Sequence, residues 1–299
     1  MAYTDKNNLK ETVDRGISVI PFYIYHQQLK KYTLYLHWHN EVEIIYVEKG
    51  SLIFTIDTVQ YEVSDGQCII INSGQLHSAA FINNEVTVHH AVLFDLNFLS
   101  SSCFDYCQST YISPLLNGQY RFPTIVDESS IWGGKIIAKV KKTLEIYDSQ
   151  YIGWELDIKA CLYKIISLTA RENKFLICKD TSKSSINYKI TIIKKLLYYI
   201  QCNYNNKIYI EDLAQEVNMN PQYFCRFFKA NTGKTPVEFI NEFKIEQAAK
   251  LIEMEDKKIL DICYEAGFDN FSYFIKKFKQ YKNYTPSKYK KYKNQNIIK

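Results

Sequence analysis

Two stretches of the C-terminal third are copies of one pattern. The run "LAQEVNMNPQYFCRFFKANTGKTPVEFI" from Leu213 and the run "ICYEAGFDNFSYFIKKFKQYKNYTPSKYK" from Ile262 align at an offset of 49 residues, which becomes 50 after one residue is inserted in the turn. Glu216 matches Glu265, Lys229 matches Lys279, and both copies end on Thr-Pro, at Thr235-Pro236 and Thr285-Pro286. Each Thr-Pro suits an N-cap followed by proline at the first helical position, where the missing N–H has no partner to lose. Each copy therefore reads as helix, short turn, second helix: "IEDLAQEV" then "NPQYFCRFFKAN", and "ILDICYEAG" then "NFSYFIKKFKQY". That is the outline of a helix-turn-helix, whose second helix offers its N-terminal residues to base edges in the major groove. The aromatics that recur in both copies, Tyr223, Phe224, Phe228, Tyr273, Phe274 and Phe278, read as core.

The charge is divided along the chain. Residues 183–299 carry 21 Lys and Arg against 12 Asp and Glu, a net of +9, whereas residues 1–182 carry 16 against 20, a net of −4. Such a split suggests a C-terminal module for a polyanion and an N-terminal module with another task. Beside two helix-turn-helix units, Lys276, Lys277, Lys279, Lys282 and the lysines from Lys288 to Lys293 read as phosphate contacts to double-stranded DNA.

At 299 residues the chain exceeds what one core usually organises, so two domains are expected. The polar, serine-rich stretch "CKDTSKSSIN" marks the break, giving a first domain over 1–178, a linker over 179–187 and a second domain over 188–299. The start, "MAYTDKNNLKETVDRG", lacks the apolar centre of a signal peptide, and no stretch approaches the roughly 18 apolar residues that span a bilayer. The expectation is a cytoplasmic protein with no membrane partner. Eight scattered cysteines without a C-x-x-C pair read as reduced, mostly buried thiols.

The C-terminal motifs resemble the AraC/XylS family of bacterial transcription regulators over about the last 110 residues, including the linking helix "FKIEQAAKLIE". The resemblance implies a seven-helix bundle with its two reading helices on adjacent major grooves of bent DNA. It places Pro221, Gln222, Cys225 and Arg226 on the exposed positions of the first reading helix, with Lys229 one turn on. On the second it places Asn270, Phe271, Ser272, Ile275 and Lys276. Cys225, Phe271 and Ile275 are poor hydrogen-bonders and suit at most an apolar contact, such as a thymine methyl. Arg226, the one arginine of residues 183–299, suits guanine O6 and N7.

From about residue 17 to 98 the pattern is of short β-branched and aromatic runs cut by turn residues, as in "VEIIYVEKG" and "SLIFTIDTVQYEVSDG". After Pro123 the period lengthens to that of two amphipathic helices within about 131–174. The spacing His37-x-His39-x3-Glu43-x6-Gly50, followed by Gly66-x7-Gly74-x2-His77, resembles the two signatures of the cupin barrel, with Asn72 and Phe81 as departures from proline and asparagine. Strand alternation would turn His37, His39, Glu41 and Glu43 to one face, where the interior can gather three of them with His77. Imidazoles with one carboxylate suit Zn, Ni, Fe or Mn. A functional metal, a metal-free effector pocket and a structural role remain open for these side chains. His89 and His90 face opposite sides of their strand and read as structural.

The fold class expected is α+β: a cupin-like barrel with a helical dimerisation element, then an all-α domain with two helix-turn-helix units. The expected function is a sequence-specific DNA-binding regulator, a homodimer responding to a small molecule or a metal, with RNA polymerase a further candidate partner. The alternatives are a metal-dependent cupin enzyme fused to a DNA-binding module and an architectural DNA-binding protein with a structural barrel.

Overall fold

Turn residues close the N-terminal runs into antiparallel strands. The structure, a computed structural model, describes residues 22–29, 33–81, 86–103, 105–178, 185–254 and 256–296. The expected barrel start at 17–21, the linker residues 179–184 and the side chains of Phe81 and Lys293 lie outside the described residues. The chain divides into two compact units, with the main break between Asn187 and Tyr188.

In the first unit, β1 (Phe22–Leu29), β3 (Val42–Lys49), β6 (Cys68–Ile71), β8 (Thr87–Phe94) and β10 (Ile125–Val126) form a five-stranded sheet in the order β1-β8-β3-β6-β10. The strands β2 (Thr33–His37), β4 (Ser51–Ile56), β5 (Val59–Ser64) and β7 (His77–Phe81) form a second sheet, β2-β7-β4-β5. β4 and β5 meet through Asp57 and Thr58 at φ 49° and 91°. Positive φ at both central residues matches the right-handed twist of a two-residue hairpin.

Alternation sorts the five-stranded sheet into two cores. Ile45, Val47, Ile69, Ile71, Ala91 and Leu93 face the second sheet and pack with its Leu52, Phe54, Ile56, Val63 and Ala79. The opposite face, Ile44, Tyr46, Ile70, Val92 and Phe94, packs on two long helices. These follow a short turn of helix, α1 (Ser113–Leu116), and are α2 (Ile131–Ser149) and α3 (Trp154–Arg171). Ile136, Ile137, Val140, Leu144, Leu162 and Ile165 supply their buried stripe. The barrel therefore covers the apolar stripe of its own helical pair. A two-stranded pair of β9 (Tyr120–Arg121) and β11 (Leu176–Ile177) completes the unit.

The second unit holds seven helices among the described residues: α4 (Ser185–Asn203), α5 (Ile210–Glu216), α6 (Pro221–Thr232), α7 (Pro236–Met254), α8 (Ile259–Glu265), α9 (Phe271–Lys282) and α10 (Pro286–Asn296). The repeat survives down to its caps. Asn220 and Asn270 each accept at Oδ1 from the backbone N–H three residues on, at 2.8 Å in both copies. The turn between the helices of each copy passes through a left-handed residue, Asn218 at φ 53° and Gly267 at φ 78°. Only glycine fits the second turn, because a Cβ there would lie 2.1 Å from the Tyr204 carbonyl oxygen. Lys244 of α7, buried, donates to the carbonyls of Asn206 and Gly267 at 3.0 and 2.6 Å and so ties both loops to the linking helix. Among the described residues no helix is long and apolar enough to cross a membrane.

Candidate functional sites: the barrel donor cluster and the two reading helices

His37, His39, Glu43 and His77 come together inside the first unit, but not as one strand. His37 ends β2 in one sheet and Glu43 is the second residue of β3 in the other, so the chain turns a corner through Trp38–Glu41. The expectation of four side chains alternating along a single strand fails here, since successive donors sit on two sheets. A register irregularity between Leu34 and His37 in the β2–β7 ladder lets both line the same cavity. His77 is the cross-strand partner of His37, with ring centroids 4.1 Å apart.

One ligand atom from each of His37, His39 and His77 lies within 4.8 Å of the others. Glu43 Oε2 is 3.4 Å from His39 Nε2 and 3.2 Å from His77 Nε2. The outer ring nitrogens are all committed to the backbone. Nδ1–H of His37 donates to the Tyr35 carbonyl at 2.8 Å, that of His39 to Glu41 at 3.1 Å, and that of His77 to Gln75 at 3.0 Å. A neutral imidazole with its proton on Nδ1 carries its lone pair on Nε2. His77 Nε2 is fully buried and makes no hydrogen bond.

Burial alone would raise the Glu43 carboxyl, but the His39 and His77 rings beside it hold it well below the usual carboxylate range. Burial, with His37 alongside, pushes His77 down to about 4. The Glu41 carboxylate, also buried, lies 3.8 Å from His39 Nδ1.

Two further groups escaped the sequence reading. His89 turns inward with Ala91 and Leu93, and burial pushes it down to about 4. Gln27 stands directly opposite it across β1 and β8. Both line the cavity that His37 and Glu43 line. Parity was the signal: His89 shares a face with Ala91 and Leu93, and Gln27 with Tyr23 and Tyr25. His90, on the outer face, has Nε2 2.8 Å from Glu48 and Nδ1 2.8 Å from His26, whose Nε2 lies 3.0 Å from Asp148.

On the DNA side, Gln222, Arg226 and Lys229 are exposed along α6, and Ser272, Lys276 and Lys279 occupy the matching positions of α9, 50 residues on. Steps of four and three put each trio on one helical face. Pro221 is the exposed first residue of α6, and the Asn270 oxygen is occupied as the cap of α9. Lys277 is half-buried and donates to Gln280 at 3.1 Å. Phe224, Phe228, Phe274 and Phe278 are buried as expected, but Tyr223 and Tyr273 are 49% and 40% exposed. They follow the caps by three residues, which turns them to the edge of each reading helix rather than into its core.

Residues 19–119 match the AraC-like ligand binding domain, and residues 213–292 match a helix-turn-helix domain. The Transposon Tn10 TetD protein of Escherichia coli is 31% identical over 106 residues, covering 36% of this chain and 77% of that one. The chain belongs to the AraC-type family of transcriptional regulators. The uncharacterized HTH-type transcriptional regulator YdeC of Bacillus subtilis is 28% identical over 291 residues, 95% of this chain and 96% of that one. Among solved structures, fatty-acid-bound ToxT of Vibrio cholerae aligns over 90% of this chain and 95% of that one, at 17% identity and a TM-score of 0.44. A member of this family joins a sheet-rich ligand-binding unit to a helical DNA-binding unit, and it acts as an effector-responsive DNA-binding regulator.

Proposed function

We propose that the regulator senses through a divalent metal held in its barrel by Nε2 of His37, His39 and His77 and a carboxylate oxygen of Glu43. One observation carries the reading: all three rings commit Nδ1–H to backbone carbonyls. Rings anchored at Nδ1 leave Nε2 as the atom each offers to a ligand, beside the Glu43 carboxylate that already pairs with His39 and His77. A cation satisfies all four groups, and backbone acceptors on the outer nitrogens are the usual support of metal-bound histidine. The donor set suits Zn, Ni, Fe or Mn. When bound, the ion supplies a fixed positive centre for an effector's oxygen atoms. We read the barrel as binding without turnover, in keeping with relatives named as regulators.

On the output side, Gln222, Arg226, Ser272 and Lys276 face the bases, while Lys229, Lys277, Lys279, the Pro221 turn and the Asn270 cap lie along the phosphates. The regulator acts in the cytoplasm as a homodimer and meets RNA polymerase at its promoter. Ile152 and Leu156, exposed where α2 passes into α3, support a dimer contact at that end of the helical pair. The test is metal content of the untagged full-length protein, with DNA affinity measured before and after chelation. About one ion per chain, lost in His39→Ala and His77→Ala, is expected, with a several-fold change in DNA affinity on chelation. Low metal content that neither substitution alters would remove the metal, and unchanged affinity on chelation would remove its role as a signal.

A further inference from the structure

The cavity between the sheets is small, ≈ 70 Å³, and joins two pairs of polar groups. His37 and Glu43 belong to the donor cluster described above; Gln27 and His89 do not. Gln27 Oε1 and His89 Nδ1 are both buried without a hydrogen-bond partner. They are cross-strand partners on one face, yet neither bonds the other. Buried polar atoms are nearly always satisfied, so two orphans in one cavity wall call for an occupant. Apart from Tyr25, the rest of the wall, including Leu34, Phe54, Ala79 and Leu93, is apolar.

Resting on the metal reading, we infer that this cavity is the effector site, and that the effector is a two- or three-carbon α-hydroxy carbonyl compound. Its hydroxyl lies between Gln27 and His89, and its carbonyl or carboxylate oxygen lies at the His37–Glu43 wall. Three features set this class. A hydroxyl is the smallest group that donates to Gln27 Oε1 while also pairing with a ring nitrogen. The same cavity is lined by His37 and Glu43 of the donor set, whose ion would take oxygen ligands. The volume is about half that of an engineered apolar cavity of roughly 150 Å³ that accepts benzene, which suits an occupant of two or three carbons.

Neutral and anionic members share this chemistry, so both are tested. Full-length protein loaded with zinc is titrated calorimetrically with glycolate against acetate, and with hydroxyacetone against acetone. In each pair the hydroxy compound should bind at least about tenfold tighter, because its deoxy analogue leaves both buried orphans unsatisfied. Whichever hydroxy compound binds tighter identifies the charge of the effector. Gln27→Leu, nearly isosteric, should abolish the preference and leave zinc content unchanged. Equal affinity within both pairs overturns the assignment, as does a preference that survives in Gln27→Leu, since a trapped water would then account for the orphans. The pairs on unaltered protein decide the matter even if the variant misfolds. Zinc content that His39→Ala leaves unchanged refutes the metal reading instead, by a readout separate from the hydroxyl preference.

Discussion

At the scale of single residues, two side chains carry distinct expectations. Arg226 is the one arginine of residues 183–299 and is exposed on α6, and a guanidinium is the group suited to fork onto guanine O6 and N7. Arg226→Ala should weaken binding to the cognate operator by about 1–3 kcal/mol while leaving random-sequence DNA nearly untouched. Fluorescence anisotropy on both duplexes separates the cases, and equal weakening would make Arg226 a phosphate contact. His89 bears on stability instead. Burial holds it neutral down to about 4, against 6.5 for a free ring, with Glu43 opposing that shift and His90 adding to it. The unfolded chain therefore takes up a proton between those values that the folded chain refuses. The contribution is fully present above pH 6.5 and is lost as pH falls towards 4, a span worth about 3 kcal/mol. Urea midpoints of wild type and His89→Gln across that window should converge at low pH, since the variant lacks this proton uptake. A parallel pH slope in both would assign the dependence to other groups.

At the scale of elements, the second unit was far more legible than the first. Its duplicated pattern marks both helix-turn-helix units, and local rules set their ends: Asn220 and Asn270 cap, and Pro221 and Pro286 open helices. The error at Tyr223 and Tyr273 came from treating recurrence as burial, when recurrence preserves surface positions as well. In the barrel the signature residues were correctly gathered, but for the wrong reason. A strand period cannot show the corner after His37 or the irregularity before it, because both depend on which sheet each segment joins. Gln27 and His89 were missed since they lie 62 residues apart and meet only through the β1–β8 register. The helical pair α2–α3 carries the next expectation. Its stripe is covered by its own sheet, while Ile152 and Leu156, beside Tyr151, are exposed at its turn. Ile152→Glu with Leu156→Glu should move the full-length protein from dimer to monomer in sedimentation velocity without loss of helical signal. A dimer unchanged by both charges would put the contact elsewhere.

At the scale of the whole molecule, the sensor and the reader obey one thermodynamic constraint whatever path joins them. If loading the barrel changes operator affinity by some factor, operator DNA must change the barrel's affinity for the same ligand by that factor. Typical couplings of this kind are about 5–150-fold, and they require only that the ligand favour one arrangement of the chain over another. The charge split gives this linkage a control. The basic unit binds any DNA through counterion release, so binding to random sequence should fall steeply with salt and be insensitive to the barrel ligand. Operator binding should share that salt slope and add the ligand dependence. The measurement is a closed cycle on the full-length protein: operator affinity with and without zinc, and zinc affinity by chelator competition with and without operator. Agreement of the two ratios within error, together with a ratio near one on random DNA, is the expected outcome. A ligand effect of equal size on operator and random DNA would mean that loading alters only the general electrostatic attraction, and that the barrel does not select between bound arrangements of the two reading helices.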